Sequence, residues 1–319
     1  MDAVDWIESF IRAIMCITGI VGNNWLGFQS LPRAKTSIRT NDFLFVNLAV
    51  SNLITNYMVD LPDTIADFAD EWLMGKSYCG IFHFCADLSE TSSIFSTLFI
   101  SIFWYQKLVG SLKRGGAPVQ LDNVQLVAIL LSGAWSLAIL FSIPHFFFVT
   151  LEIKNGSRGH CMENFPSTAS KQTYEILYLT LANAVPIAGI VFSSLQITVT
   201  LLLNQKRMKR LVTDNTGAKS VPGGQDTKES MGMQSLDATR KQAKASSSGN
   251  LIRAAKSVVA VATVFVVCWF SHLLLRISTD VKSSAVVSEV ASYLAASYTS
   301  IIPYIFLHGV KKLTYSFKK

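Results

Sequence analysis

Charge is scarce in this chain. Only 15% of its 319 residues are Asp, Glu, Lys or Arg, against about a quarter in an ordinary soluble domain. That excludes a typical water-soluble globule of this length. Enzyme signatures are missing too. There is no His-Glu-x-x-His helix and no Gly-x-Ser-x-Gly elbow, the two arrangements that most directly announce a metallohydrolase or an esterase, and the chain is read as a non-enzyme. No basic-aromatic nucleic-acid module occurs. The pattern of paired broken helices expected of many transporters is absent. The N-terminus is acidic (Asp2, Asp5, Glu8) where a cleavable signal would be basic. The tail has no cysteine, which excludes palmitoyl anchoring there. The stretch SVPGGQDTKESMGMQSLDATRKQAKASSSG lacks aromatics and helical apolar periodicity, and so reads as disordered.

What the chain does have is apolar residues, 50% of the total, with a mean hydropathy of +0.37. They cluster into seven long segments, at about 9–30, 43–60, 80–106, 124–150, 176–203, 257–279 and 284–307. Segments of 18 or more apolar residues suggest membrane helices. The expected fold is an all-α membrane protein, a seven-helix bundle over 9–307 with residues 1–8 outside. A basic cytoplasmic loop spans 204–256 and a cytoplasmic tail 308–319. Orientation follows from Lys and Arg in the loops. Placing the N-terminus outside puts 21 of the 28 Lys and Arg on the cytoplasmic side, with net charges of +15 inside and −8 outside. The basic balance therefore reflects topology and contact with anionic membrane lipid, and nucleic acid is not an expected partner.

Cys16, Cys85 and Cys268 fall within apolar segments and read as small buried hydrophobes. Cys79 and Cys161 both fall on the outer side, in an oxidising compartment, and are expected to form a disulfide pinning loop 151–172, within the longer connection 151–175, over the helix mouth. That loop carries the sequon Asn155-Gly156-Ser157, a glycosylation candidate. Prolines lie inside helices four (Pro144), five (Pro186) and seven (Pro303). In the tail, Val310, Leu313 and Phe317 fit a short amphipathic helix after the seventh span.

Ionisable residues at membrane depth are costly and mark function. Helix three carries His83, Asp87 and Glu90 at helical spacing, on one face. Helix six carries Trp269, His272 and Arg276; helix two adds Asp60 and Asp63, helix seven adds Glu289 near its outer end, and Tyr178 on helix five faces a similar depth. Together they suggest one polar ligand cavity in the outer half of the bundle, floored by Trp269. The structural alternative is internal pairing, of Arg276 with Glu289 or Asp87 and of His272 with Glu90. The run PHFFFV reads as lipid or core contacts, with His145 unassigned. No metal site and no cofactor is expected, and a retinal chromophore lacks its lysine, since helix seven has only Lys282 at its mouth. At the inner side, Trp104, Tyr105, Lys107, Lys209, Arg210 and Arg253 are positioned to face a cytoplasmic partner, though topogenic charge alone would explain the basic ones.

Seven helices and the cysteine pair suggest a G-protein-coupled receptor, and specific residues strengthen this. The chain resembles the rhodopsin-like class through Gly22-Asn23, the run Leu48-Ala49-Val50-Ser51-Asn52, the set Trp72, Gly75 and Cys79, and Trp135 followed by Pro144. Pro186, the set Phe265, Cys268 and Trp269, and Pro303 continue it through helices five to seven. It departs from the class at Asn52, Phe103, Trp104, Ser194, Ser271, Ile302 and Phe306. These departures, with the stretches SLPRAKTSIRTNDFLFVNLAVSNL and FWYQKLVGS, are similar to vomeronasal type-1 receptors and their fish relatives, the olfactory receptors class A-related. That resemblance implies a chemosensory receptor for a small odorant or pheromone, in the plasma membrane of olfactory sensory neurons, coupled to a heterotrimeric G protein of the Gi/o type. A non-sensory receptor for an amine or peptide is the near alternative, and a proton-coupled transporter the distant one.

Overall fold

A computed structural model describes residues 3–32, 38–112, 118–154, 158–217, 249, 251–269, 271, 293–294 and 297–309. Seven helices cover most of them. α1 is Ala3–Ser30 and α3 is Gly75–Leu112. α2 joins Thr40–Thr55, a π-helical turn Asn56–Asp60 and Leu61–Ala69. α4 is Val124–Ser142 continued by Pro144–Phe147. α5 joins Thr168–Leu177, a second π-helical segment Tyr178–Ala184 and Val185–Gly217. α6 is Leu251–Trp269 and α7 is Tyr298–Gly309. Between α4 and α5 lies an antiparallel hairpin, β1 Val149–Lys154 and β2 Arg158–Glu163, with Leu151 opposite Cys161.

Among the described residues, four helical stretches are long and apolar enough to cross a membrane: Thr40–Ala69, Val124–Phe147, Thr168–Arg207 and Leu251–Trp269. α3 is less apolar for a reason the packing supplies. It runs through the centre, against α2, α4, α5 and β1, and turns its small hydroxyls inward. Ser89, Thr91, Ser92, Ser93, Ser96, Thr97 and Ser101 are all buried. Ser92 meets Ser51 at 2.7 Å, and Ser89 accepts from Thr55 at 2.8 Å. Small polar residues let membrane helices approach closely and bond across the interface.

The helices outrun the apolar segments. α5 begins at Thr168, not 176, because Ser167 and Ser170 form a reciprocal capping box. α2 continues past 60, through Pro62, to Ala69. The loop expected at 151–175 is largely hairpin and helix. Both π-helical segments precede a proline by two residues, Pro62 and Pro186. Proline cannot donate to the carbonyl four residues back, and a wide turn with one extra residue absorbs the misfit. The carbonyl that Pro62 leaves open, Met58, accepts from the Tyr78 hydroxyl at 3.4 Å. The middle of 204–256, the sequon at Asn155 and the expected tail helix with Val310, Leu313 and Phe317 lie outside the described residues.

Candidate functional site

Two polar centres stand near the hairpin end of the bundle, where the sequence suggests one. The first is a cavity of about 160 Å³ lined by Thr55, Glu90, Ile94, Phe265, Trp269 and Tyr298, among others. Its walls are mostly apolar. Glu90 is the acid in this wall, and its Oε2 accepts from the Tyr178 hydroxyl at 2.9 Å. Trp269 is part of the same lining, and its indole N–H is buried with no hydrogen-bond partner among the described residues. Tyr178 is fully buried and stacks on Tyr174 at 6.0 Å.

The second centre lies directly under the hairpin. Asp87 Oδ2 accepts from the Tyr174 hydroxyl and from His145 Nε2, the latter at 2.7 Å. His145 is 1% exposed. Its Nδ1 lies 3.6 Å from Glu163 Oε1 on β2, and His83 Nδ1 lies 3.8 Å from the same oxygen. Lys171 Nζ approaches Glu163 Oε2 at 3.5 Å. The face His83–Asp87–Glu90 is thus divided: Glu90 serves the cavity, whereas Asp87 is committed to a histidine and a tyrosine. His145 escapes the sequence reading because it sits in an aromatic run. Of that run, Phe146 and Phe147 are 48% and 74% exposed, but His145 turns inward.

The hairpin is held over this centre by the disulfide Cys79–Cys161, with Cα atoms 5.5 Å apart. Trp72 adds a backbone hydrogen bond to the Gly159 carbonyl at 2.9 Å, and its indole donates to the Gly75 carbonyl at 2.9 Å. Gly75 has φ +75°, a conformation that strains any residue with a Cβ. The spacing Trp72–Gly75–Cys79 is therefore a turn that aims the cysteine at β2.

Asp63 does not join the cavity. Arg12 on α1 takes it, Nη1 to Oδ2 at 2.6 Å, and reaches Asp67 through Nε at 3.1 Å. Both acids border a separate small cavity beside Asp60 and Tyr293 or an open cleft next to it. The partner was Arg12, which sequence reasoning passed over because it lies within the first apolar segment. His272, Arg276 and Glu289, expected in the pocket, lie outside the described residues.

The pattern of landmarks is matched by comparison with known proteins. A family model described as "7 transmembrane receptor (rhodopsin family)" covers residues 29–305. The chain is a member of the rhodopsin family of seven-transmembrane receptors. A rhodopsin of Cambarus maculatus is 22% identical over 83% of this chain and 79% of its own length. The tachykinin-like peptides receptor 86C of Drosophila melanogaster is 22% identical over 98% of this chain and 58% of that protein. The gonadotropin-releasing hormone receptor of Octopus vulgaris is 26% identical over 60% and 48%. The chain thus spans only about half the length of these two peptide receptors. The crystal structure of squid rhodopsin shares the fold, with a TM-score of 0.73 at 18% identity, over all of this chain and 85% of that one.

In this receptor the family landmarks have physical partners. Asn23 Nδ2 reaches the Thr299 carbonyl at 2.9 Å and Asn56 Oδ1 at 3.1 Å. Asn52 Nδ2 donates to Asn23 Oδ1 at 3.0 Å, and Ser93 donates to Asn52 Oδ1 at 2.8 Å. Trp135 Nε1 donates to Asn47, which donates to Ser96, tying α4, α2 and α3. At the far end of the receptor, Trp104 is 5% exposed and belongs to the main apolar core with Phe103, Leu201, Ala254, Val258 and Phe306. Lys107 Nζ lies over the Phe103 and Trp104 rings, at 4.9 and 5.6 Å. Tyr105 packs against the same core, and Arg253 is exposed at the start of α6. The side chains of Lys209 and Arg210 are outside the described residues.

Proposed function

We propose that this receptor takes a small organic cation, an amine carrying one ring, in the cavity between Glu90 and Trp269, and signals through a heterotrimeric G protein. The observation that carries this reading is that Glu90 is the one carboxylate among the described residues lining a mostly apolar cavity. An ammonium group would pair with Glu90 where Tyr178 already holds the carboxylate. A ring would pack on Phe265 and Trp269, with the indole N–H, unpartnered among the described residues, facing a polar substituent. The size agrees: about 150 Å³ of apolar cavity accommodates benzene, against about 160 Å³ here. A peptide ligand would insert one side chain at most. His272, Arg276 and Glu289 are proposed to complete the mouth. The Lys and Arg distribution supports a hairpin end outside and a Trp104 end in the cytoplasm, where Trp104, Tyr105, Lys107, Lys209, Arg210 and Arg253 would meet the G protein.

The tachykinin-like peptides receptor and gonadotropin-releasing hormone receptor among the relatives support a non-sensory receptor over an odorant receptor. The chemosensory reading, with Gi/o coupling in olfactory neurons, is supported by the resemblance of FWYQKLVGS and the helix-two region alone. Localising the transcript separates the two. The rhodopsin relatives do not bring a chromophore with them, because residues 284–307 contain no lysine for a Schiff base. The test is agonist dose–response in calcium-coupled cells with a panel of arylalkylamines. A charge-assisted bond contributes about 1.5–3 kcal/mol, so Glu90→Gln should lower potency roughly 10- to 100-fold at normal surface expression. Unchanged potency would remove Glu90 from the ligand site.

A further inference from the structure

The centre beneath the hairpin offers more than packing. His83 from α3, His145 from α4 and Glu163 from β2 bring ligand-type atoms within 4.8 Å of one another. His145 Nε2 faces the acceptor Asp87 Oδ2 at 2.7 Å, so Nε2 carries a proton. In the neutral ring Nδ1 is then a lone pair. It is buried, has no hydrogen-bond partner among the described residues, and points at Glu163 Oε1 from 3.6 Å. A buried acceptor there faces the carboxylate of a partly exposed side chain, a pair that calls for a positive charge between them, a proton or a metal ion.

We propose that His83 Nδ1, His145 Nδ1 and Glu163 Oε1 bind a transition-metal dication of zinc's class, with water in the fourth position. The spacings suit it. Tetrahedral zinc with bonds of ~2.0–2.1 Å sets its ligand atoms ~3.3–3.5 Å apart. The pairs to Glu163 Oε1 are 3.6 and 3.8 Å, and need contract by only a few tenths of an ångström. Two imidazoles favour a borderline ion over calcium or magnesium, which take oxygen. Asp87 supplies the outer partner that fixes the tautomer and orientation of a metal-binding histidine, and Tyr174 fixes Asp87 in turn. Lys171 keeps Glu163 Oε2, leaving Oε1 to the ion. The nearby sulfurs of Cys79 and Cys161 are spent in their disulfide. A bound ion would tie β2 to α3 and α4 at a second point. This does not depend on which agonist the receptor takes.

The test is a titration of the purified full-length receptor with Zn²⁺ against a chromophoric chelator. One Zn²⁺ should bind per receptor, undisturbed by excess Ca²⁺ or Mg²⁺. Glu163→Gln and His83→Asn, both at partly exposed positions, should each weaken binding at least about tenfold. His160→Gln, on the same hairpin, should leave it unchanged. A second readout needs no variant: Zn²⁺ should raise the Tm of the wild-type receptor and a chelator should reverse the rise. Absence of stoichiometric binding, displacement by Ca²⁺, or loss through His160→Gln in place of the other two overturns the proposal.

Discussion

Asn52 donates through Nδ2 to Asn23 and accepts at Oδ1 from Ser93, so both ends of its amide are in use. A carboxylate at this position could not donate. Asn52→Asp would set two oxygens against each other, at a cost of about 1–3 kcal/mol for the unsatisfied pair, read as a lower Tm of the purified receptor. With no charge to hold a hard cation, agonist affinity in the wild type should be the same in sodium as in a bulky cation. Trp104 makes a similar point at the far end. It fills the core at a position where the chain departs from the class, and Lys107 lies over its ring. Trp104→Arg should bury an unpaired charge and lower surface expression without any gain in agonist signalling, checked by surface labelling and calcium response together. The cysteine pair and the acids of α3 were legible in the sequence because depth and spacing restrict what such residues can do. His145, Arg12 and Tyr174 were not. Their roles depend on which way a side chain turns across helices, and periodicity along one helix carries no such information.

Helix α1 meets α7 at a glycine. A Cβ on Gly22 would come within 2.8 Å of Pro303 and of the Tyr304 ring, so the two backbones approach as closely as their side chains allow. Gly22→Val should push them apart and break the bond from Asn23 to the Thr299 carbonyl. Overpacking of this kind costs about 1–3 kcal/mol, and thermal unfolding of the detergent-purified variant measures it. The existence and order of the helices were readable from hydropathy. Their ends were not. Hydropathy reports where lipid begins, whereas helix ends are set by caps such as Ser167 and by turns such as Asp70, which takes φ 57°.

At the scale of the molecule, the receptor is built around α3, with the hairpin fastened across one end. The disulfide joins positions 82 residues apart. Cys161→Ser should free β2 from α3, remove Glu163 from His83 and His145, and lower agonist affinity more than Gln substitution at Glu163 alone, as radioligand binding would show. The resemblance to the rhodopsin family was legible because landmarks recur on every helix, while the split between two polar centres was not, since it needs three dimensions. The π-helical segments add a further consequence. Each holds one residue more than a regular helix needs. Losing a single codon there would close the wide turn into regular helix and leave both halves facing as they do. The same loss in an unbroken helix such as α3 would turn everything beyond it by about 100°. Helices α2 and α5 can therefore change length by one residue at these two places while the faces toward the ligand and toward the G protein stay as they are.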